Sequence, residues 1–253
     1  MKSPFQILIK KFISKSPLSV FVLASLVFIL SNPIIAFTSY AETNHVKKKP
    51  KSFRILALGD SLTDGYGLEQ SQAFPKKLEE RLHKNGFDFV EVVNAGISGS
   101  TSSTAPSRLR WQLRSRPDLM ILALGANDGL RGVPIETTKK NLTQTIKMAK
   151  EENVKVILAG MLLPPNYGEE YRTQFSEMFK EISKEQSVPL IPFLLEGVAG
   201  EPRYNLEDAI HPNERGHEKI AENVYKHLLP HLPKKSTKSN STEKSKNEHE
   251  VST

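Results

Sequence analysis

The chain has no cysteine among its 253 residues. Disulfides, thiol nucleophiles and thiolate metal sites are therefore all excluded. Export is not, because a domain of ordinary size stabilises itself by burial alone. Several signatures are missing as well. No Gly-Lys-Ser or Gly-Lys-Thr follows Gly59, which excludes a P-loop, and no Gly-x-Gly-x-x-Gly run follows any candidate strand. No Gly-x-Ser-x-Gly elbow occurs, which argues against the ordinary α/β-hydrolase fold. Acidic charge is scarce only at the ends. Residues 1–41 carry +4, residues 42–51 carry +3 and residues 234–253 carry +2, leaving −2 of the total +7 on residues 52–233. A nucleic-acid binder needs its basic patch on the folded surface. Nucleic acid is excluded as a partner on that ground.

What is present divides the chain into four parts. Lys2, Lys10, Lys11 and Lys15 precede an apolar run from Leu18 to Leu30, broken by Asn32-Pro33 and followed by Ser39-Tyr40-Ala41. This is the pattern of an export signal cleaved after Ala41. Its competitor is an uncleaved anchor, since Leu18 to Phe37 nearly reaches the ~20 residues that span a bilayer. Either way the protein is expected outside the cytoplasm, periplasmic or extracellular, with membrane association through the N-terminus as the tethered alternative. Residues 42–51 are a basic linker. Residues 233–253 are Lys/Ser-rich with almost no apolar content, the composition of a disordered tail. Residues 52–232 remain as one domain.

Inside that domain, short Ile/Val/Leu-rich runs alternate with segments of helical spacing. The runs are Phe53–Leu58, Phe89–Val93, Leu119–Leu124, Val154–Leu158 and Leu190–Ile191. Phe74, Leu78 and Leu82 recur at i, i+4, i+8. Leu142, Thr145, Ile146 and Ala149 follow i, i+3, i+4, i+7, as do Phe175, Met178, Phe179 and Ile182. Strands alternating with helices predict βαβ units and a parallel sheet covered on both faces. Sites in such folds lie beyond the carboxyl ends of the strands.

Four blocks fall there. Gly59-Asp60-Ser61-Leu62 follows the first run and Asn94-Ala95-Gly96-Ile97-Ser98-Gly99 the second. Gly125-Ala126-Asn127-Asp128-Gly129 follows the third, and Asp208-Ala209-Ile210-His211-Pro212-Asn213 the fifth. Alone, each reads as an ordinary turn or helix cap. Together they supply what acyl transfer needs: a hydroxyl nucleophile in Ser61, a base in His211 and an acid, Asp208, to hold the imidazole. Oxyanion donors are available from the Ser61 N–H, a glycine-loop N–H and the Asn127 amide. Gly96 and Gly99 are equally good candidates for the loop donor on this reading.

The four blocks resemble those of the SGNH, or GDSL, hydrolase family, over roughly residues 53–232. The match is closest to its bacterial multifunctional members with acyl-CoA thioesterase, lysophospholipase and arylesterase activity. Gly125 to Gly132, Leu163-Pro164-Pro165-Asn166-Tyr167-Gly168 and Val188 to Phe193 carry that closer match. The resemblance implies an α/β, three-layer α/β/α flavodoxin-like fold with a five-stranded parallel sheet. It implies Ser61 as nucleophile, His211 as base and Asp208 as orienting acid, with Ser61, Gly99 and Asn127 as the oxyanion hole, and it needs no cofactor. Ser100 stands where the family has an acid, and Ala209 where it has Gly.

Leu130, Leu163 and Tyr167 lie in loops beyond strand ends, where an acyl chain needs apolar contacts. Asp60 and Asp128 read as turn braces, and His217 as an exposed helix residue. His227 and His231 have i, i+4 spacing, but Pro230 between them argues against a helical metal site, so no metal is expected. The function expected is a serine esterase or thioesterase acting on a small-molecule or lipid ester. The alternatives are a polysaccharide O-acetyl esterase and a non-catalytic surface-binding protein on the same fold.

Overall fold

The computed structural model describes residues 52–235. The export segment, the basic linker and all but the first three residues of the tail lie outside the described residues. Five strands form one sheet: β1 (Phe53–Gly59), β2 (Val90–Gly96), β3 (Leu119–Ala123), β4 (Lys155–Ala159) and β5 (Leu190–Ile191). Their order is β2-β1-β3-β4-β5 and every pair is parallel. Strand β3 is buried along its whole length, as a parallel strand covered on both faces must be.

The helices are α1 (Ser61–Asp64), α2 (Phe74–Lys84), α3 (Ala105–Gln112), α4 (Ala126–Leu130), α5 (Ile135–Glu151), α6 (Glu169–Gln186) and α7 (Glu214–Leu228). Helix α2 packs with α7. Helix α3 packs with α5 and α5 with α6, so each face of the sheet has its own helical layer. This is the three-layer α/β/α arrangement that the alternation and the resemblance imply. The apolar residues at helical spacing all turn inward: Phe74, Leu78, Leu82, Leu142, Ile146, Ala149, Phe175, Met178, Phe179 and Ile182 are buried. Burying each of the larger ones contributes ~1.5–3 kcal/mol.

Strand β2 runs to Gly96, three residues past the expected end at Val93. Strand β1 continues beside it, pairing Gly59 with Gly96. Polar Asn94 conceals the extension from an apolar-run reading. Gly96 is required there because α1 crosses it: a Cβ would stand 2.1 Å from the Asp64 nitrogen. Gly59 is required likewise, since the Thr63 hydroxyl lies 1.8 Å from where its Cβ would be.

The order of the strands decides where the site lies. From β1 the chain crosses outward to β2, then returns past β1 to β3, so the connections diverge on either side of β1. The crevice at the carboxyl ends of β1 and β3 is the switch point of this fold. Ser61 follows β1 and Asn127 follows β3.

Candidate active site

Ser61 is the first residue of α1, a single turn wedged between β1 and β2. The Asp60 carboxylate caps that turn, accepting from the Leu62 N–H at 3.1 Å. Gly65 closes it with a left-handed φ of 86°. So short a turn, held at both ends, lifts the Ser61 hydroxyl to the top of the sheet.

His211 arrives from the other end of the chain. Its segment is pinned by the Leu206 N–H donating to the His211 carbonyl at 2.7 Å. Asn213 caps α7 just beyond, accepting from the Gly216 N–H at 3.1 Å. His211 Nε2 lies 3.1 Å from Ser61 Oγ, and Nδ1 lies 2.6 Å from Asp208 Oδ2. With Nδ1 protonated toward the carboxylate, Nε2 is free to accept the serine proton. Asp208 Oδ1 accepts from the Ile210 and His211 N–H groups, both at 2.9 Å. The His211 backbone bond, the imidazole and the Ile210 bond together hold the Asp208 pKa down at about 2. It is therefore ionised throughout the working range. The Tyr66 ring lies over the imidazole, with centroids 4.3 Å apart.

The loop 97–100 starts beside the end of β1, where the Ile97 N–H donates to the Gly59 carbonyl at 3.2 Å, and is anchored at three successive residues. Ser98 Oγ donates to Asp64 Oδ2 at 2.6 Å, Arg131 Nη2 donates to the Gly99 carbonyl at 3.0 Å, and Asn127 Nδ2 donates to the Ser100 carbonyl at 3.0 Å. The last bond uses one hydrogen of the Asn127 amide and leaves the other available. Gly99 has φ 76°, a conformation in which a glycine costs least. Gly96 instead lies in strand β2 under α1. Asp128 braces the same region from below: it accepts from the Ser102 N–H at 2.8 Å, the Ser102 hydroxyl at 2.6 Å and the Thr138 hydroxyl at 3.3 Å.

The three apolar candidates separate. Leu130 ends α4 and is exposed. Tyr167 is half-buried and donates its hydroxyl to the Leu130 carbonyl at 3.1 Å. Leu163 is only 4% exposed and packs against Gly129, so its side chain offers little surface to a substrate. Its neighbour Leu162 is exposed instead.

Sequence reasoning missed two residues and misplaced one. Arg108, on α3, sends its guanidinium under the site and donates to the carbonyls of Gly59 and Ala95, the first at 2.7 Å. It thereby ties together the ends of β1 and β2, the strands leading to Ser61 and to the 97–100 loop. Burial lowers its pKa, partly offset by Asp60 and Asp64. Asp60 itself is 1% exposed, and burial raises its carboxyl pKa to about 6. Tyr66 gave no signal either, being one aromatic residue after a glycine.

His217 is not an exposed helix residue; it is 1% exposed and accepts the Phe74 N–H at 3.1 Å. That N–H is an orphan donor at the start of α2, 143 residues away in sequence. A signal did exist, because His217, Ile220, Ala221, Val224 and Leu228 form one apolar stripe, all buried. Helix α7 ends at Leu228 and a 3₁₀ turn through Pro230 follows, so His227 and His231 do not share a helix.

The model of the GDSL-like lipase/acylhydrolase family matches residues 57–219. An arylesterase of Vibrio mimicus is 37% identical over 182 residues, covering 72% of this chain and 90% of that protein. The thioesterase 1/protease 1/lysophospholipase L1 of Escherichia coli K12 is 38% identical over 177 residues, covering 70% and 83%. Among solved structures, the psychrotrophic esterase EstA from Pseudoalteromonas sp., inhibited by monoethylphosphonate, superposes with a TM-score of 0.68 at 34% identity. That superposition covers 72% of this chain and 99% of EstA.

Proposed function

The chain belongs to the GDSL-like lipase/acylhydrolase family and is an ester or thioester hydrolase, and we propose that it works through an acyl-Ser61 intermediate. The observation that carries the proposal is the unbroken chain from Asp208 through His211 to Ser61, at 2.6 and 3.1 Å. Ser61 Oγ attacks the carbonyl carbon as its proton passes to His211 Nε2. The negative charge that collects on the carbonyl oxygen is met by the Ser61 N–H, the Gly99 N–H and the free hydrogen of Asn127 Nδ2. Collapse of the tetrahedral intermediate breaks the bond to the alcohol or thiol, which leaves with the proton from His211. Water then repeats the sequence against the acyl-enzyme, with His211 again as base. Asp208, ionised throughout, stabilises the imidazolium that forms twice in each cycle.

The acyl group is the part of the substrate that the surface favours. Tyr66, Ile97, Leu130, Leu162 and Ile210 are large, apolar and exposed, and all five lie beyond the carboxyl ends of the strands or beside His211. That rim suits a hydrocarbon chain better than an acetylated sugar. Lysophospholipids, acyl thioesters and aryl esters are the proposed substrates, in keeping with the names of the relatives. We place the enzyme outside the cytoplasm on the strength of residues 1–41; among the described residues no helix is long and apolar enough to cross a membrane.

A fluorophosphonate probe tests the mechanism. The expected result is a single adduct on Ser61, located by mass spectrometry, and no labelling of Ser61→Ala. An adduct on Ser98 or Ser100 would overturn the assignment.

A further inference from the structure

Residues 92–117 contain four arginines and no acid, in a folded domain that is otherwise slightly acidic. Arg108 turns inward. Arg110, Arg114 and Arg116 are exposed on the outer side of α3 and the 3₁₀ turn that follows it. Among the described residues none of the three pairs with a carboxylate. Between them stands Trp111, the one tryptophan of the chain and 64% exposed. The Arg114 guanidinium lies 4.4 Å from its ring centroid.

We propose that this Arg110–Trp111–Arg114–Arg116 face docks on an anionic phospholipid bilayer. Phosphate headgroups accept the guanidinium hydrogens in bidentate fashion. The indole, apolar over most of its surface with one N–H, is at its best in the headgroup zone. Stacking of Arg114 on the ring holds cation and aromatic together on one surface. Arg54, at the start of β1, donates to the Ser115 carbonyl, so the chain enters the domain next to the turn that carries Arg114 and Arg116. Lys47, Lys48, Lys49 and Lys51 precede that entry in sequence.

A nucleic acid fits less well. It needs an extended basic stripe and several stacking rings, whereas this face is one helix and one turn long with a single ring. A planar lipid surface touches that face alone and meets both of its chemistries. Helix α3 begins after the 97–100 loop and runs back toward the amino ends of the strands, so docking there leaves Ser61 open to solvent.

Because Trp111 is the only tryptophan, its emission reports on this face directly. The chain beginning at Glu42, the expected product of export, would be mixed with vesicles of one part phosphatidylglycerol to two parts phosphatidylcholine, and with pure phosphatidylcholine vesicles. The expected result is a blue shift and co-sedimentation with the anionic vesicles only, both reversed by high salt. Each arginine near such a surface is worth about fivefold in partitioning. Replacing Arg110, Arg114 and Arg116 by Gln together should therefore weaken sedimentation by about 100-fold, with hydrolysis of a soluble ester unchanged. Should the triple variant fold poorly, Arg114→Gln alone should show the fivefold loss. The Lys-rich linker is present throughout and cancels from the comparison. Equal partitioning of wild type and variants would overturn the proposal by assigning binding to another part of the chain. So would an emission shift with an RNA oligonucleotide but none with anionic vesicles.

Discussion

In Asp60→Asn the buried carboxylate before Ser61 becomes a neutral amide of nearly the same shape. The wild-type carboxyl is 1% exposed, and burial raises its pKa from 3.8 to about 6. Between about pH 4 and pH 6 the folded protein therefore holds more protons at Asp60 than the unfolded chain does. Stability falls as pH rises through that window, by a total of ~3 kcal/mol at neutral pH. The amide escapes this cost and keeps an oxygen for the Leu62 N–H. It loses an acceptor for the N–H of residue 60 and the attraction of Arg108, together worth ~1 kcal/mol. The net gain at pH 7 is ~2 kcal/mol, or roughly 4–8 °C in Tm for a domain of this size.

His217 supplies the opposite slope. Burial first, and the nearby His211 second, depress its pKa from 6.5 to about 4. The unfolded chain then binds the extra proton, so stability falls as pH drops from about 6.5 to about 4. In the wild type the two slopes offset each other; without Asp60, that of His217 stands alone. Urea unfolding followed by circular dichroism between pH 4.5 and 7.5 should give a nearly level profile for the wild type. Asp60→Asn should be the more stable at pH 7.5 and lose ~2–3 kcal/mol by pH 4.5. Parallel profiles would refute the burial argument for Asp60. Turnover should fall in the same variant, because the carboxylate attracts the His211 imidazolium that the reaction requires.

Asn127→Ala should fold, lose ~1 kcal/mol with its bond to Ser100, and lose at least ~10²-fold in kcat with KM nearly unchanged; retention of a tenth of wild-type kcat would remove it from the oxyanion hole. Arg108→Met should lower kcat and slow fluorophosphonate labelling of Ser61 by about tenfold or more, as expected when a positioning contact is lost, with Arg108→Lys partly restoring both. If only the melting temperature moved, Arg108 would be structural. Ala209 sits at φ 56° between Asp208 and His211, so Ala209→Gly should relieve ~1 kcal/mol of left-handed strain and raise Tm by roughly 1–3 °C. A fall in Tm would mean that the added freedom of the unfolded chain outweighs the strain.

Much of this molecule was legible without coordinates. Alternating apolar runs and helical stripes mark a parallel α/β sheet because each periodicity reflects which side of an element must be buried. Ser61, Asn127, Asp208 and His211 could be proposed from sequence because a parallel α/β fold presents its site at strand ends, and strand ends can be read from where the apolar runs stop. Two glycines of the second block were not separable in sequence. Only packing decides that Gly96 lies beneath the α1 backbone while Gly99 turns through a positive φ in the loop. Leu163 looked like a pocket wall and proved to be core, since a loop leucine shows its environment only once Gly129 is beside it. The partners of Arg108 and His217 were hidden for a common reason. Each side chain satisfies backbone groups far away in the chain, the carbonyls of Gly59 and Ala95 in one case and the Phe74 N–H in the other. A partner of that kind carries no residue type, so no local pattern announces it, and only the folded chain brings donor and acceptor together.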